Sequence, residues 1–448
     1  MPRDVAFLCY WPLKQRQDNN SFDGNYNIGA RVIMDVLKRA GIECGFCSPD
    51  TAKDYRIVLV SFTSDYDCIA FYTAVSLLPS WQPDKRTFTV IAGGEGVQNP
   101  TAVRKYLDYA VFGRAEDIVG DLIAAILGGG DYQHESVMRL PEITEVKEHQ
   151  TNKLYPYDLR FGDGRGKRDW RESFMGCPNK CLFCHYAWSR KWVGGDTYYQ
   201  GDLTMNRSVE VLWKDILNMT KKEGRVRTAI DGFSERLRFA YGKHITNQEI
   251  IDGINHIGSF GGTTVVMVYN ISNMPGENED DRQELYATVK KANPKHRVIV
   301  VFQSTPFRPS LLTPLQWAPV TLYPSTSDLS AQVIHDSDNL RVMHSFSNEG
   351  PWSQLQTMIV SRATPDKDAI FHAMCLHPKL KSGNARERIR LLSNSFDLTS
   401  YLREYDPQEK HPAWFYDGYT SRDVLVKACM IAKSKITRPV VQESSRNG

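Results

Sequence analysis

Residues 174–188 read FMGCPNKCLFCHYAW and place three of the chain's nine cysteines within a span of eight residues. Cys177, Cys181 and Cys184 form a C-x3-C-x2-C array. Three thiolates at this spacing can ligate three irons of a 4Fe-4S cluster from one short loop, leaving the fourth iron open to a non-protein ligand. A structural zinc site asks for a fourth ligand in the same tetrahedron, and His185, directly after Cys184, points poorly for closing it. Cys181 to His185 also reads as C-x-x-C-H, the attachment motif of c-type haem, which needs an exported chain. A set of inert core cysteines fits badly with Pro178, Asn179 and Lys180, which make the loop polar and turn-rich.

The array, with the aromatic Phe183 just before its third cysteine, resembles the cluster loop of the radical S-adenosylmethionine (SAM) superfamily. The resemblance implies that Cys177, Cys181 and Cys184 hold the cluster, that Asn179 and Lys180 shape the loop, and that SAM chelates the open iron through its amino and carboxylate groups. One electron from the reduced cluster then cleaves the sulfonium to a 5′-deoxyadenosyl radical, while the protein positions the cofactor and excludes water. A reductase or flavodoxin-type electron donor is the partner such chemistry implies.

At 448 residues, 41% hydrophobic and 24% charged, the chain has the composition of an ordinary globular protein of two or three domains. Its formal net charge of +3, from 55 basic and 52 acidic residues, neither demands nor excludes a nucleic-acid partner. The start, MPRDVAFLCYWPLKQRQ, has one short apolar run broken by Pro12 and suits a first strand better than a signal peptide. No stretch reaches the length of a membrane span, and an odd number of cysteines without paired spacing fits a reducing, cytoplasmic setting. Cys9, Cys44, Cys47, Cys68, Cys375 and Cys429 read as small core residues, the C-x-x-C of Cys44 and Cys47 included.

Upstream of the cysteine loop, apolar runs alternate with helical patterns from Val5 to Leu127, which predicts a parallel, doubly wound (Rossmann-like) sheet. Strands are expected at Val5–Leu8, Ile57–Ser61, Thr89–Ala92 and Tyr109–Phe112. A helix is expected over Ile28–Leu37 with Gly41 as its stop, and another over Ile118–Leu127. Ligands of such sheets bind at the carboxyl ends of the strands, where Ser61, Thr63, Gly93 and Gly94 fall. A domain of this kind before a radical SAM loop resembles the cobalamin-binding domain of cobalamin-type radical SAM enzymes, which implies cobalamin at those four residues. One departure is that Trp11 to Asn27, after the first strand, contains no histidine to ligate cobalt.

Residues 131–165 read as a linker, polar and turn-rich, and the basic run RFGDGRGKRDWR at 160–171 suits either a phosphate-bearing substrate or a solvated loop. Downstream, Ser208 is expected to cap a helix carrying Val209, Leu212, Trp213, Ile216 and Leu217, followed by a strand at Val226–Ile230. Thr246 to Glu249 is a capping box for a helix with Ile250, Ile251, Ile254 and Ile257. Thr264–Tyr269 and Val298–Phe302 are β-branched runs of the kind buried on both faces. Together they predict a partial (β/α)6 barrel with its site at the strand C-termini.

The family resemblance extends to those strand ends. Asp231, Gly232, Glu235 and Arg236 sit where family members place SAM-binding groups, Asn270 opens NISNMPGE, and Gln303 ends the next strand. Helix is expected over Arg386–Leu402, and Trp414, Phe415, Tyr416 and Tyr419 suit either stacking of a planar substrate or packing of a subdomain. The tail from Gln442 to Gly448 reads as disordered.

The expected layout is therefore α/β: residues 1–130 a cobalamin-type domain, 131–165 a linker, 166–345 the radical SAM core and 346–448 a small C-terminal subdomain. With cobalamin, the resemblance implies methyl transfer to an unactivated carbon of a small-molecule or nucleotide-like substrate. Without it, the same radical would drive a rearrangement or isomerisation, a modified nucleobase in viral DNA being one such substrate. A non-enzymatic iron-sulfur or zinc protein has no use for polar residues at so many strand ends.

Overall fold

The computed structural model describes residues 3–10, 28–151, 153–157, 159–162, 167–170, 174–177, 179–194, 199–200, 209–211, 213–220, 223–322, 332–346, 350–381 and 384–437. The loop 11–27, Ser208 and the tail 442–448 lie outside them, as do the side chains of the basic run at 160–171. The chain divides into two compact units, the first built from Met1–Met175 with Trp352–Tyr419, the second from Gly176–Gly201, Met205–Pro351 and Thr420–Gly448. The segment expected to be a C-terminal subdomain is thus shared out between them. Among the described residues no helix is long and apolar enough to cross a membrane.

The first unit is a six-stranded sheet of β1 (Arg3–Leu8), β2 (Cys44–Cys47), β3 (Tyr55–Ser61), β4 (Thr89–Gly93), β5 (Tyr109–Val111) and β6 (Val137–Arg139), in the order β2-β1-β3-β4-β5-β6. β1 to β5 are parallel and β6 runs antiparallel to β5. In β3 the run Ile57-Val58-Leu59-Val60 is buried throughout, as a parallel strand covered on both faces requires. The order 2-1-3-4-5 is that of flavodoxin-like sheets, whose ligand crevice lies at the carboxyl ends of the first and third strands. Helices α1 (Ile28–Arg39), α2 (Asp65–Val75) and α3 (Val119–Leu127) accompany it. α1 buries Ala30, Val32 and Leu37, and the chain turns after it at Gly41 (φ +77°).

β2 is a strand that the sequence does not announce, because its only apolar aromatic is Phe46 and its cysteines read as a motif. Burial pushes the Cys44 and Cys47 thiols up to about 12, so both are inert core groups.

The returning segment fastens to this unit by specific polar contacts. Asn99, 1% exposed, donates from Nδ2 to the carbonyls of Ser361 and Ala363, both at 3.0 Å. Arg104 pairs with Asp368 at 2.7 Å, and the Tyr72 hydroxyl lies 2.9 Å from His372 Nδ1. Tyr416–Asp417 forms a short parallel ladder with Val146–Lys147, and the Tyr416 ring packs 5.0 Å from Phe112. Phe415 and Tyr416 are therefore packing residues, whereas Trp414 and Tyr419 are 39% and 45% exposed. The helix expected over Arg386–Leu402 is two pieces, Ala385–Ser393 and Thr399–Leu402.

The second unit contains β7 (Tyr199–Gln200), β8 (Val209–Val211), β9 (Arg225–Ala229), β10 (Thr264–Ser272), β11 (Val298–Pro306), β12 (Gln332–Asp336) and β13 (Leu340–Phe346). They align as β7-β8-β9-β10-β11-β13-β12, with β8, β9, β10, β11 and β13 parallel and an antiparallel strand at each edge. Among the described residues there are thus five parallel strands, where six were expected. The helix expected from Val209 is instead β8 followed by a 3-10 segment, Trp213–Asn218. The β-branched Val209-Glu210-Val211 pairs with β9, and Trp213 donates its indole N–H to the Glu249 carbonyl at 2.9 Å.

Helices α4 (His185–Trp188), α5 (Glu235–Ala240), α6 (Asn247–Ile257) and α7 (Glu279–Val289) belong to this unit. The capping box of α6 forms as expected, Thr246 Oγ1 accepting from the Glu249 amide at 3.1 Å and Glu249 Oε2 from the Thr246 amide at 2.6 Å. β10 and β11 are not buried on both faces. Val266, Val268, Val300 and Phe302 join the core with Ile250, Ile254 and Leu285, while the alternate positions are half-buried and Tyr269 is 41% exposed. One face of the sheet is the hydrophobic core, and the other carries Tyr269 and Gln303 in register.

Candidate functional site

The cysteine loop is clamped at both ends and along its middle. Gly176 has φ +74°, and a Cβ there would stand 2.7 Å from the Lys191 carbonyl, so glycine is required for this approach. Lys180 also adopts a left-handed conformation (φ +48°), and its ammonium donates to the Ala187 carbonyl at 2.6 Å while lying 5.3 Å from the Trp188 ring. Trp188 in turn donates to the Cys181 carbonyl at 2.9 Å. Leu182 and Phe183 pack on a cluster that includes Leu237, Tyr241 and Met274, which explains the aromatic residue before the third cysteine.

The loop docks on the segment that leaves α5. The Leu182 amide donates to the Tyr241 carbonyl at 2.9 Å, and Cys181 Sγ lies 3.8 Å from the Gly242 carbonyl. The three thiols are close enough to act on one another electrostatically: Cys177 and Cys184 both act on Cys181, and Cys177 on Cys184. Burial pushes Cys181 up to about 12 and Cys184 to about 11.

Beside the cysteines stands an ion pair. Lys243 donates from Nζ to Asp231 Oδ2 at 2.8 Å, with side chains 12% and 15% exposed. Burial works against the Lys243 charge, but Asp231 and then Cys181 outweigh it and hold the ammonium above its ordinary range. Asp231 acts on both Cys181 and Cys184.

Asp231 follows β9 in a left-handed conformation (φ +49°), and Gly232 beside it has φ +156°. The Gly232 amide donates to Asn270 Oδ1 at 2.6 Å. Arg238, fully buried, holds the turn from below: it donates to the carbonyls of Gly232 at 3.2 Å, Phe233 at 3.0 Å and Ile245 at 2.7 Å, and to Asn247 Oδ1 at 2.6 Å. A Cβ at Gly232 would meet Arg238 Cγ at 3.0 Å. Neither Arg238 nor Lys243 stood out in the sequence, since an arginine inside a helix and a lysine after it read as surface residues.

The remaining strand-end residues divide by face. Asn270 is 1% exposed on the core side, where its amide Nδ2 lies 3.4 Å from Ser304 Oγ; Ser304 is 2.7 Å from His344 Nε2, and His344 Nδ1 is 2.6 Å from the Tyr286 hydroxyl. Burial, and then the Arg282 charge, lower His344 to about 4, so it is a neutral imidazole within this row. Asn270 therefore positions the Asp231–Gly232 turn from the buried face. Glu235 Oε2 accepts the Asn247 amide at 2.6 Å, at the start of α6, and Arg236 pairs with Asp281 at 2.7 Å and donates to the Gly276 carbonyl at 3.0 Å. Both are engaged by partners within the chain. Glu277 of the Pro-Gly-Glu turn is paired with Arg282 at 3.0 Å. Gln303 lies with Tyr269 on the half-buried face, away from that core.

In the first unit, Thr63 donates from N at 2.6 Å and from Oγ1 at 2.7 Å to Asp67 Oδ2, inside the first turn of α2. Ser61 offers its carbonyl to the Tyr10 hydroxyl at 2.8 Å. Gly94 (φ +100°) carries the loop after β4 against the loop after β3: a Cβ would stand 2.3 Å from the Phe62 carbonyl oxygen. At Gly93 the nearest atom is 3.8 Å away, ordinary contact distance. The doublet is thus used asymmetrically, and Gly94 serves the packing of backbone on backbone.

The donor set fits a cluster better than a single ion. Among the described residues no three His, Cys, Asp or Glu side chains converge on one metal position. A 4Fe-4S cluster takes each thiolate on a different iron and asks for no such convergence. Three mutually interacting thiols on a clamped loop, with a lysine to offset their charge on ligation, match that requirement.

No protein-family profile matches the chain, and no curated protein does. Among solved structures it is similar to the cobalamin-dependent S-adenosylmethionine radical enzyme OxsB with aqua-cobalamin bound, at 10% identity and a TM-score of 0.31. The same enzyme with aqua-cobalamin and S-adenosylmethionine matches at 11% identity and 0.31. In both the match covers 97% of this chain and 56% of the other, so the chain spans little more than half the length of these neighbours. At such scores the likeness settles neither fold nor chemistry, and the functional case rests on this chain's own residues.

Proposed function

We propose that the chain is a radical SAM enzyme whose cluster is held by Cys177, Cys181 and Cys184. The observation that carries this is the docking of the three-cysteine loop on Tyr241–Lys243, next to the Asp231 turn at the carboxyl end of a parallel strand. When bound, a 4Fe-4S cluster with an open iron supplies the electron that cleaves SAM to a 5′-deoxyadenosyl radical. The chain's own contribution is positional. Lys180 and Trp188 fix the loop, Arg238 and Asn270 fix the turn that aims Asp231, and Tyr269 and Gln303 offer a flat ring and an amide for a nucleoside on the sheet's half-buried face.

For the reaction, we favour cobalamin-dependent methyl transfer to an unactivated carbon, supported by the 2-1-3-4-5 strand order of the first unit. The second reading, a cobalamin-independent rearrangement, draws on Gly94, whose glycine is already required by the Phe62 carbonyl. Anaerobic reconstitution tests the class. The full chain should bind about four irons, lose them on changing Cys177, Cys181 or Cys184 to Ala, and keep them in Cys375→Ala. A chain that takes up only zinc, or that releases no 5′-deoxyadenosine from SAM under strong reduction, would overturn it. Methyl-labelled SAM with hydroxocobalamin then separates the two reactions by whether label enters the product.

A further inference from the structure

A buried ion pair adds little to stability, because desolvating two charges costs about as much as their attraction returns. Asp231–Lys243 is nonetheless held by an unusual amount of structure. Asp231 is kept left-handed, its neighbour Gly232 is fixed by Asn270 at 2.6 Å and by Arg238 at 3.2 Å, and Lys243 follows the residues that pair with the cysteine loop. Both members act on Cys181, and Lys243 feels Cys177 as well. The pair stands beside the cysteines, where ligation and reduction of a cluster would change the charge.

We propose that Asp231 and Lys243 set the one-electron potential of the cluster held by Cys177, Cys181 and Cys184, Lys243 favouring the reduced state and Asp231 opposing it. The proposal rests on the cluster reading above. Reduction adds one negative charge to an already anionic cluster, so a fixed ammonium nearby stabilises the product of electron uptake and a fixed carboxylate destabilises it. Held together, they let the protein carry a cation at the cluster without an unpaired buried charge. At an effective interior dielectric of about 20, a unit charge even about 12 Å from the added electron changes the reduced-to-oxidised ratio about tenfold at fixed donor potential, or ~59 mV for a one-electron couple, and a closer one changes it more.

The test uses the full chain, reconstituted anaerobically and titrated with dithionite, with iron content, midpoint potential and thermal unfolding recorded for each variant. Lys243→Gln should keep its iron and lower the reduced-to-oxidised ratio about tenfold or more. Asp231→Asn should raise it, and Lys243→Arg should restore the native value. An unmoved potential in a folded, iron-loaded Lys243→Gln overturns the proposal. Where that variant does not fold, Asp231→Asn decides: a raised potential supports the proposal and an unmoved one overturns it. A native chain that binds no iron is a different result, which overturns the cluster reading itself.

Discussion

Replacing Gly94 by alanine should destabilise the first unit whether or not a cofactor is bound. The added Cβ would lie 2.3 Å from the Phe62 carbonyl oxygen and 3.1 Å from its carbon, and the backbone there holds φ at +100°. The partner atoms are main chain, so no side chain can swing aside. Left-handed strain in a non-glycine residue costs about 1–3 kcal/mol, and forced overpacking about 1–3 kcal/mol more. A loss of about 2–6 kcal/mol follows, on the order of 4–24 °C in Tm for a unit of this size. Gly93→Ala is the control, because its Cβ meets nothing closer than 3.8 Å and should change Tm by about 2 °C or less. Thermal unfolding of the two variants without cofactor measures both. A native Tm in Gly94→Ala would refute the steric reasoning. With that established, Gly93→Val is the substitution that asks about cobalamin, since it puts bulk at the strand end and leaves the Phe62 contact intact: weakened hydroxocobalamin binding is expected.

Glu235→Ala should lower stability by about 1 kcal/mol through the lost bond to the Asn247 amide, with SAM affinity unchanged, whereas Gln303→Ala should do the reverse. Equilibrium dialysis of SAM against reconstituted protein, alongside thermal unfolding, separates them, and weakened binding with a native Tm in Glu235→Ala would contradict the structural role given to it here. His344 is neutral in the fold with its pKa lowered to about 4. The unfolded chain binds that proton near 6.5 and the native chain does not, so the stability His344 contributes is full above about pH 6.5 and is lost as pH falls toward 4, on the order of 3 kcal/mol in all. His344→Gln should flatten that part of the pH profile. An unchanged slope between pH 6.5 and 4 would mean that the imidazole takes up its proton in the native state.

The sequence showed its parallel strands and its cysteine loop because both are local patterns. Val298–Phe302 is β-branched wherever it packs, and C-x3-C-x2-C is a spacing. Its failures were of a different kind. Val209 to Leu217 has a helical apolar period, yet pairing of Val209 and Glu210 with Val226 and Arg227, and of Val211 with Tyr199, makes its start a strand, a contact set by residues elsewhere in the chain. Whether Asn270 or Gln303 faced the core depended on strand parity, which the apolar run at Thr264–Tyr269 conceals because valine and methionine serve on either face. Glu235 and Arg236 fell in the expected place and turned to other partners, Asn247 and Asp281, whose positions no local pattern reveals. The Asp231–Lys243 pair needed a twelve-residue excursion through α5 to close.

The return of Trp352–Tyr419 to the first unit also sets an order of events during synthesis. The strand at Val146–Lys147 waits for Tyr416 and Asp417, and Asn99 waits for the carbonyls of Ser361 and Ala363. The N-terminal unit cannot be finished until Tyr416 and Asp417 have left the ribosome, by which time the strands of the second unit have been made. A nascent chain cut at the apparent domain boundary near residue 175 would leave these partners missing, so the part that looks most separable by sequence is the part least able to mature by itself.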